Sequence, residues 1–189
     1  MARASWLVCF GLCLCAGSLA AQSTEAVEAP PEAPPEESSE YTQLVAQAVI
    51  EFDAGRFLES RALLLRAHEL SPNARTLRGM GLAAFEAGRH ALAVGDLQRA
   101  LAEHRQPLTE TQREEARQLL GEADAATGHF RLLDRPWGAA LQVDGEPAVI
   151  DEQGWLVVDP GQHLLAVHPT EGEPYSHAIV ATAAQRSSS

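Results

Sequence analysis

Seven histidines are the side chains of this sequence best suited to chemistry, because imidazole can bind metal ions and transfer protons near neutral pH. His163 and His168 fall on one predicted strand, but their odd separation directs them to opposite faces. His68, His90 and His104 lie in or beside predicted helices, and no carboxylate stands at a recognisable metal-ligand spacing from them. We therefore expect surface or packing histidines and predict no metal site.

The residues that commonly serve covalent catalysis are absent or poorly placed. The chain contains no lysine, which excludes Schiff-base chemistry and the lysine of a P-loop. All three cysteines (Cys9, Cys13 and Cys15) lie in the first 21 residues. Serines are concentrated at 38–39 and 187–189, in segments predicted to be too mobile to position a nucleophile. We predict that the protein is not an enzyme, with no catalytic residue and no cofactor.

The composition narrows the choice of partner. The 189 residues include 26 acidic and 14 basic ones, which gives a formal net charge of −12. A chain this acidic is repelled by nucleic-acid phosphates and by anionic lipid headgroups. We therefore predict that it binds neither nucleic acid nor an anionic membrane surface, and the composition favours a binding protein without indicating what it binds.

The N-terminal residues predict export. Arg3 precedes an apolar stretch at 6–16, and Ser18-Leu19-Ala20 supplies the small residues of a cleavage site. We interpret residues 1–20 as a signal peptide, because the apolar run is shorter than the ~20 residues that span a bilayer. The expected location is periplasmic or extracellular, with an uncleaved N-terminal membrane anchor as the alternative.

Two segments are predicted to be disordered. Residues 21–40 are rich in proline and glutamate and contain no basic residue, so self-repulsion and proline stiffness favour an extended linker. Residues 184–189 form the second such segment, a short C-terminal tail.

Residues 41–128 have helical periodicity and an internal repeat at an offset of 33. Bulky, small and turn residues all recur at that offset. The matches are Leu44 with Leu77, Ala48 with Gly81, Phe52 with Phe85, Gly55 with Gly88, Ser60 with Ala93, Leu64 with Leu97 and Ala67 with Ala100. Gly55 and Gly88 are expected to end helices and to turn the chain back. Thr109 or Thr111 can cap a fifth helix, whose charged side suits the end of a stack.

This pattern resembles the tetratricopeptide repeat, an antiparallel helix pair. The resemblance rests on the small residues, on Phe57 and on Pro72 after the first pair, and it covers about residues 41–105. It implies a short antiparallel stack of about two and a half repeats.

After Gly128 the periodicity changes to two, which predicts strands at 129–134, 139–144, 155–159, 162–168 and 175–182. The segment from Pro136 through Gly138-Ala139 to Asp144-Gly145, with the later Pro160-Gly161 turn, resembles the PEGA-type β domain. Residues 129–183 are therefore expected to form a small β-sandwich-like domain, and the whole chain an α+β fold.

The resemblance to helical repeats implies a binding surface on the concave side of the stack. The residues expected there are Val45, Val49, Phe52, Arg75, Arg78, Leu82 and Phe85. Arg75 and Arg78 form a basic edge that could hold an extended peptide with an acidic group. The alternative is that Phe52 and Phe85 only pack between helices. In the β domain, Trp137 and Trp155 could stack on sugar rings, or else pack in the core.

Three functional hypotheses follow. The first is a non-enzymatic adaptor or scaffold of the bacterial cell envelope, because helical repeats joined to this β module look like exported envelope proteins. The alternative is a cell-wall or carbohydrate-binding module that acts through the β domain, and the third is a spacer that binds nothing tightly.

Overall fold

The computed structural model describes residues 39–132, 138–183 and 186–188, and its fold is α+β. Five helices come first in the chain and strands follow. The helices are α1 (Ser39–Asp53), α2 (Phe57–Leu70), α3 (Ala74–Glu86), α4 (His90–Ala102) and α5 (Glu110–Ala125). Among the described residues, no helix has the length and apolar character needed to cross a bilayer. The predicted signal peptide and residues 21–38 of the predicted linker lie outside the described residues.

The first two helix pairs turn back at glycine, as predicted. Gly55 and Gly88 have φ angles of +75° and +72°, which only glycine adopts without strain. In each turn the next backbone N–H reaches back five residues: Arg56 N donates to Glu51 O and Arg89 N donates to Ala84 O, both at 2.9 Å. The two pairs therefore end in the same way, 33 residues apart.

Helices α1 to α5 pack sequentially, each against the next along the chain. Small residues allow close approach, most clearly at Gly81 of α3, where an added Cβ would lie 2.6 Å from Leu97 Cγ of α4. The shared core is rich in alanine, with Met80 and Leu97 as its largest fully buried side chains.

Helix α1 begins at Ser39, so its first two residues lie within the expected linker, which ends at residue 40. Glu40 lies in the first turn of α1, where a negative side chain interacts favourably with the positive end of the helix dipole. The same acidic residue that marks a linker by composition also suits the start of a helix.

Eight short strands follow the helices within the described residues. They are β1 (Gly128–Arg131), β2 (Ala140–Val143), β3 (Glu146–Pro147), β4 (Val149–Ile150), β5 (Leu156–Val158), β6 (Gly161–His168), β7 (Tyr175–Ala181) and β8 (Arg186–Ser188). They form two four-stranded sheets with orders β4-β5-β1-β8 and β3-β2-β6-β7. Neighbouring strands are antiparallel, except that β8 runs parallel to β1.

Strands β3, β4 and β8 differ from the sequence expectations. The segment predicted as a disordered tail contains strand β8, which pairs with β1 through backbone hydrogen bonds. Such pairing requires no apolar side chains, so the composition of the segment did not indicate a strand. Strands β3 and β4 have two residues each, too few to display an alternating pattern.

The helices and the β part share a core instead of standing as separate bodies; both belong to one compact unit. Strand β5 shows how, because Leu156 and Val158 belong to a hydrophobic cluster with residues of both sheets, while Val157 belongs to the helical cluster. Strand β4 approaches α4 closely at Gly95, where an added Cβ would lie 3.0 Å from Val149 Cγ1.

Candidate functional site

The exposed sides of α1, α3 and α5 carry two grooves, one between α1 and α3 and one between α3 and α5. We call this surface the first-helix face, because α1 and α3 are the first helices of the pairs α1–α2 and α3–α4. Four of the seven helical residues expected to bind a partner line these grooves: Val45, Arg75, Arg78 and Leu82.

The α1–α3 groove has a volume of about 380 Å³. Its walls are mostly apolar, and one arginine stands at its edge. The lining residues are Tyr41, Thr42, Val45, Ala46, Leu64, Arg75, Thr76 and Gln106. Arg75 is exposed and forms no ion pair with any residue of the described part of the chain.

The position of α3 against α1 is fixed by Asn73, which is fully buried. Its side-chain oxygen accepts a hydrogen bond from Thr76 N at 2.9 Å and so caps α3. Its amide nitrogen donates to Tyr41 Oη at 3.1 Å and to the Ser71 carbonyl at 2.7 Å. One buried amide therefore joins the start of α3 to the first turn of α1 beside this groove.

The α3–α5 groove has a volume of about 300 Å³. It is lined by Arg78 and Leu82 of α3, by Leu97 of α4, and by Glu115, Ala116, Gln118, Leu119 and Glu122 of α5. Arg78 Nη2 lies 2.5 Å from Glu115 Oε2, so its charge already has a partner. The two arginines of the predicted basic edge therefore differ. Arg75 has no ion-pair partner among the described residues, whereas Arg78 is paired with Glu115 of α5.

Helix α5 is positioned by a capping box at its first turn. Thr109 Oγ1 accepts from Gln112 N at 3.3 Å, and Gln112 Oε1 accepts from Thr109 N at 3.0 Å. The sequence left Thr109 and Thr111 as alternatives, and the structure selects Thr109. This cap satisfies backbone groups at the start of α5, the helix that carries Glu115 and Leu119.

Phe52 and Phe85 lie in the last turns of α1 and α3 and line neither groove. Phe52 packs edge-on against Phe57 with ring centroids 5.1 Å apart, and Phe85 packs in the same way against His90 at 5.1 Å. Both phenylalanines are half-buried, which supports the alternative that they pack within the helix pairs. Val49 also lines neither groove, but its side chain is 54 % exposed.

Of the two tryptophans expected to stack on sugar rings, one lies among the described residues. Trp137 lies outside the described residues, and Trp155 is half-buried at the start of the β5 region. The Trp155 backbone N donates to Asp151 Oδ1 at 2.8 Å, within a tight turn.

The strand histidines lie on opposite faces of β6, as their spacing predicts. His163 is half-buried, with Nδ1 2.7 Å from Asp144 Oδ2 and Nε2 2.7 Å from the Asp159 carbonyl. The carboxylate of Asp144 also accepts from Leu164 N, and these contacts lower its pKa below the usual value. His168 is exposed and lies 3.2 Å from Gln142 Oε1. Within the described ranges no three potential metal ligands come together.

A buried charge cluster joins α2 to α4, and the sequence did not reveal it. The Asp96 side chain is 4 % exposed, with its Oδ2 2.9 Å from both Nε and Nη2 of Arg61. Arg99 Nη1 lies 3.4 Å from Asp96 Oδ1. Burial raises the pKa of Asp96 and outweighs the two arginines, whereas burial lowers the pKa of the nearby His68. These partners are 35 residues apart, so no local pattern marks them.

A second buried cluster lies where α5 meets the β part. His129 is 2 % exposed, with Nε2 3.2 Å from Asp124 Oδ1 and Nδ1 3.5 Å from Asp151 Oδ2. The second contact is an electrostatic one, because its geometry does not make a hydrogen bond. Both buried clusters connect structural elements and lie away from the first-helix face.

Comparisons of the chain with protein-family models, with curated proteins and with solved structures find no match.

Proposed function

We propose that this protein is a non-enzymatic adaptor of the bacterial cell envelope that binds a peptide or protein segment on its first-helix face. In this proposal α1 to α5 are about two and a half tetratricopeptide-like repeats, and the strands are a PEGA-like β-sandwich. The chain is exported to the periplasm or outside the cell, and it uses no cofactor.

The repeat assignment is supported by local geometry that recurs at the same offset as the sequence. The ring pairs Phe52–Phe57 and Phe85–His90 have the same centroid separation and interplanar angles of 67° and 68°. The glycine turns that precede α2 and α4 also share one hydrogen-bond pattern. Two helix pairs with the same turn and the same ring contact are what a tandem repeat would produce.

The observation that carries the proposed function is Arg75 at the edge of an apolar groove. Arg75 has no ion-pair partner among the described residues, and a guanidinium of this kind beside Val45 and Leu64 suits a ligand with a carboxylate next to an apolar side chain. The adjoining groove offers Leu82 and Leu119 for a second apolar side chain. An extended segment crossing α1, α3 and α5 would contact both grooves, which favours a short linear motif as the ligand.

The test begins with selection of binders from a random peptide library on the immobilised chain. Fluorescence anisotropy then measures the selected peptides against the whole protein and against Arg75→Glu. We expect selected peptides to contain an acidic residue and Arg75→Glu to weaken them about tenfold, as loss of a charge-assisted contact implies. If nothing is enriched, the proposed function is wrong.

Arg66→Glu is the matched control. Arg66 is an exposed arginine of α2 without an ion pair among the described residues, and it lines neither groove. The same change of charge there should leave affinity within about twofold, because screening weakens distant surface charges. Equal loss in both variants would mean that only overall charge matters. Arg78→Glu is unsuitable, because it would place a glutamate against Glu115.

A further inference from the structure

The two sheets have four edges among the described strands, and three of them are short. Strand β3 has two residues, Glu146 and Pro147, and so carries both a charge and a proline. Strand β4 also has two residues and packs on α4, while β8 has three. Short length, charge, proline and a covering helix are the usual protections of a sheet edge.

Within the described part of the chain, strand β7 has none of these protections. It pairs with β6 over seven residues without a bulge, from Gly161 opposite Ala181 to Val167 opposite Tyr175. No described strand pairs with its other side. Its sequence YSHAIVA contains no proline, acidic residue, lysine or arginine.

The β6–β7 hairpin is also an uncharged region of a very acidic chain. Neither strand contains an acidic residue, a lysine or an arginine, although the whole chain has a formal net charge of −12. Its outward face presents apolar side chains, with Leu164 51 % exposed and Val180 63 % exposed. Ala178 lies directly opposite Leu164 in the register and is exposed too.

We propose that β7 pairs antiparallel with β7 of a second copy of this chain, which joins two four-stranded sheets into one of eight strands. Two copies carrying this net charge repel each other over most of their surfaces. The uncharged hairpin is where they can approach without that repulsion. A two-fold axis near Ala178, the middle residue of β7, would make the contact self-complementary.

The charges at the ends of β7 select the antiparallel arrangement. The turn before β7 contains Glu171 and Glu173, whereas Thr182 and Ala183 follow it. Antiparallel pairing places each acidic turn beside the uncharged end of the other copy. The two turns are then separated by at least the length of a seven-residue strand, about 23 Å, which exceeds the Debye length of about 8 Å in physiological salt. Parallel pairing would place the four glutamates together.

Two variants that place a negative or a positive charge at Ala178 test this pairing. Sedimentation velocity of the full chain, from micromolar to millimolar concentration, should show a monomer–dimer equilibrium. Ala178→Glu and Ala178→Lys should each raise the dimer dissociation constant about tenfold, because like charges then face each other across the axis. An equimolar mixture of the two variants should regain dimerisation, because Glu then faces Lys. The side chain is exposed, so both variants should remain folded.

Ala62→Glu and Ala62→Lys, on the exposed side of α2, are the matched controls and should dimerise like the original chain. Hydrogen exchange adds a direct readout, since backbone amides on the outer edge of β7 should become protected as the dimer forms. A chain that stays monomeric throughout would overturn the proposal. So would a dimer that the Ala178 variants leave unchanged, a mixture that does not recover, or a dimer with unprotected β7 amides. The peptide-binding test is separate, because Arg75 is on a helix and Ala178 is on β7.

Discussion

The ion pair between Arg61 and Asp96 should be the strongest polar contact between the two helix pairs, and Arg61→Met tests this. Methionine keeps an apolar stem of similar length and removes the guanidinium. Asp96 would then retain only Arg99, whose Nη1 is 3.4 Å away and whose side chain is more than half exposed. The substitution therefore leaves a carboxylate that is 4 % exposed with one distant partner.

The expected loss in unfolding free energy is about 2–3 kcal/mol. Removal of one partner from a fully buried ion pair costs about 3–5 kcal/mol, because the remaining charge stays in a poorly solvated site. The loss expected here is smaller than that of a fully buried pair, because the Arg61 side chain is 21 % exposed and Arg99 partly compensates the charge of Asp96. Because protonation of Asp96 removes the uncompensated charge, the loss should be smaller in acid.

Urea unfolding followed by circular dichroism measures this loss at neutral pH. Arg99→Met is the control and should cost less than about 0.5 kcal/mol, as expected for an exposed, long ion pair. Adding Asp96→Asn to Arg61→Met should recover part of the stability, because an amide is easier to bury than an unpaired carboxylate. If Arg61→Met costs no more than Arg99→Met, the pair does not join the two helix pairs as described.

Two further predictions concern buried polar groups. Asn73→Ala should lower the unfolding free energy by about 2–3 kcal/mol, because α3 loses its cap and the hydrogen bonds of Asn73 to Tyr41 and to the Ser71 carbonyl are broken. Urea unfolding checks this, and a loss below about 0.5 kcal/mol would contradict it. The second prediction concerns pH. Because burial raises the pKa of Asp96, the folded state holds this proton more tightly than the unfolded state does. The stability of the original chain relative to Asp96→Asn should therefore be greatest below the pKa of the unfolded carboxyl group and fall as pH rises through the folded pKa. Urea unfolding of both chains from acid to neutral pH checks this. A stability difference between the original chain and Asp96→Asn that grew with pH would contradict it.

The helical half could be predicted from sequence because its signals are local. Helix periodicity, the glycines that end α1 and α3 and the cap at Thr109 each involve residues within a few positions of one another. The offset of 33 also predicted that corresponding residues would occupy corresponding places, and the ring contacts of Phe52 and Phe85 agree with this.

Two ion pairs, one at the candidate site and one between α2 and α4, could not be predicted, because each joins residues that are distant in sequence. Arg78 belongs to a basic edge when α3 is considered alone, but α5 brings Glu115 to it across 37 positions. Arginine and aspartate are residue types usually found at the surface, and only the packing of α2 against α4 buries Arg61 and Asp96.

The packing of the β part against the helices could not be predicted from a sequence pattern either. The change in periodicity after Gly128 indicates where strands begin, but not which face of a strand meets a helix. Val157 contributes to the helical core, although its neighbours Leu156 and Val158 on β5 belong to the hydrophobic cluster of the β part. Strand β8 pairs through its backbone, so its side-chain sequence gave no signal.

The most direct test of peptide binding is to map a selected peptide onto the isotope-labelled full chain by NMR titration. We predict that the backbone signals that shift most belong to the two grooves, around Val45, Arg75, Leu82 and Leu119. The signals of Arg66 and of the outward face of β7 should stay in place. Shifts concentrated in the β part, or spread evenly over the chain, would contradict the assignment of binding to the first-helix face.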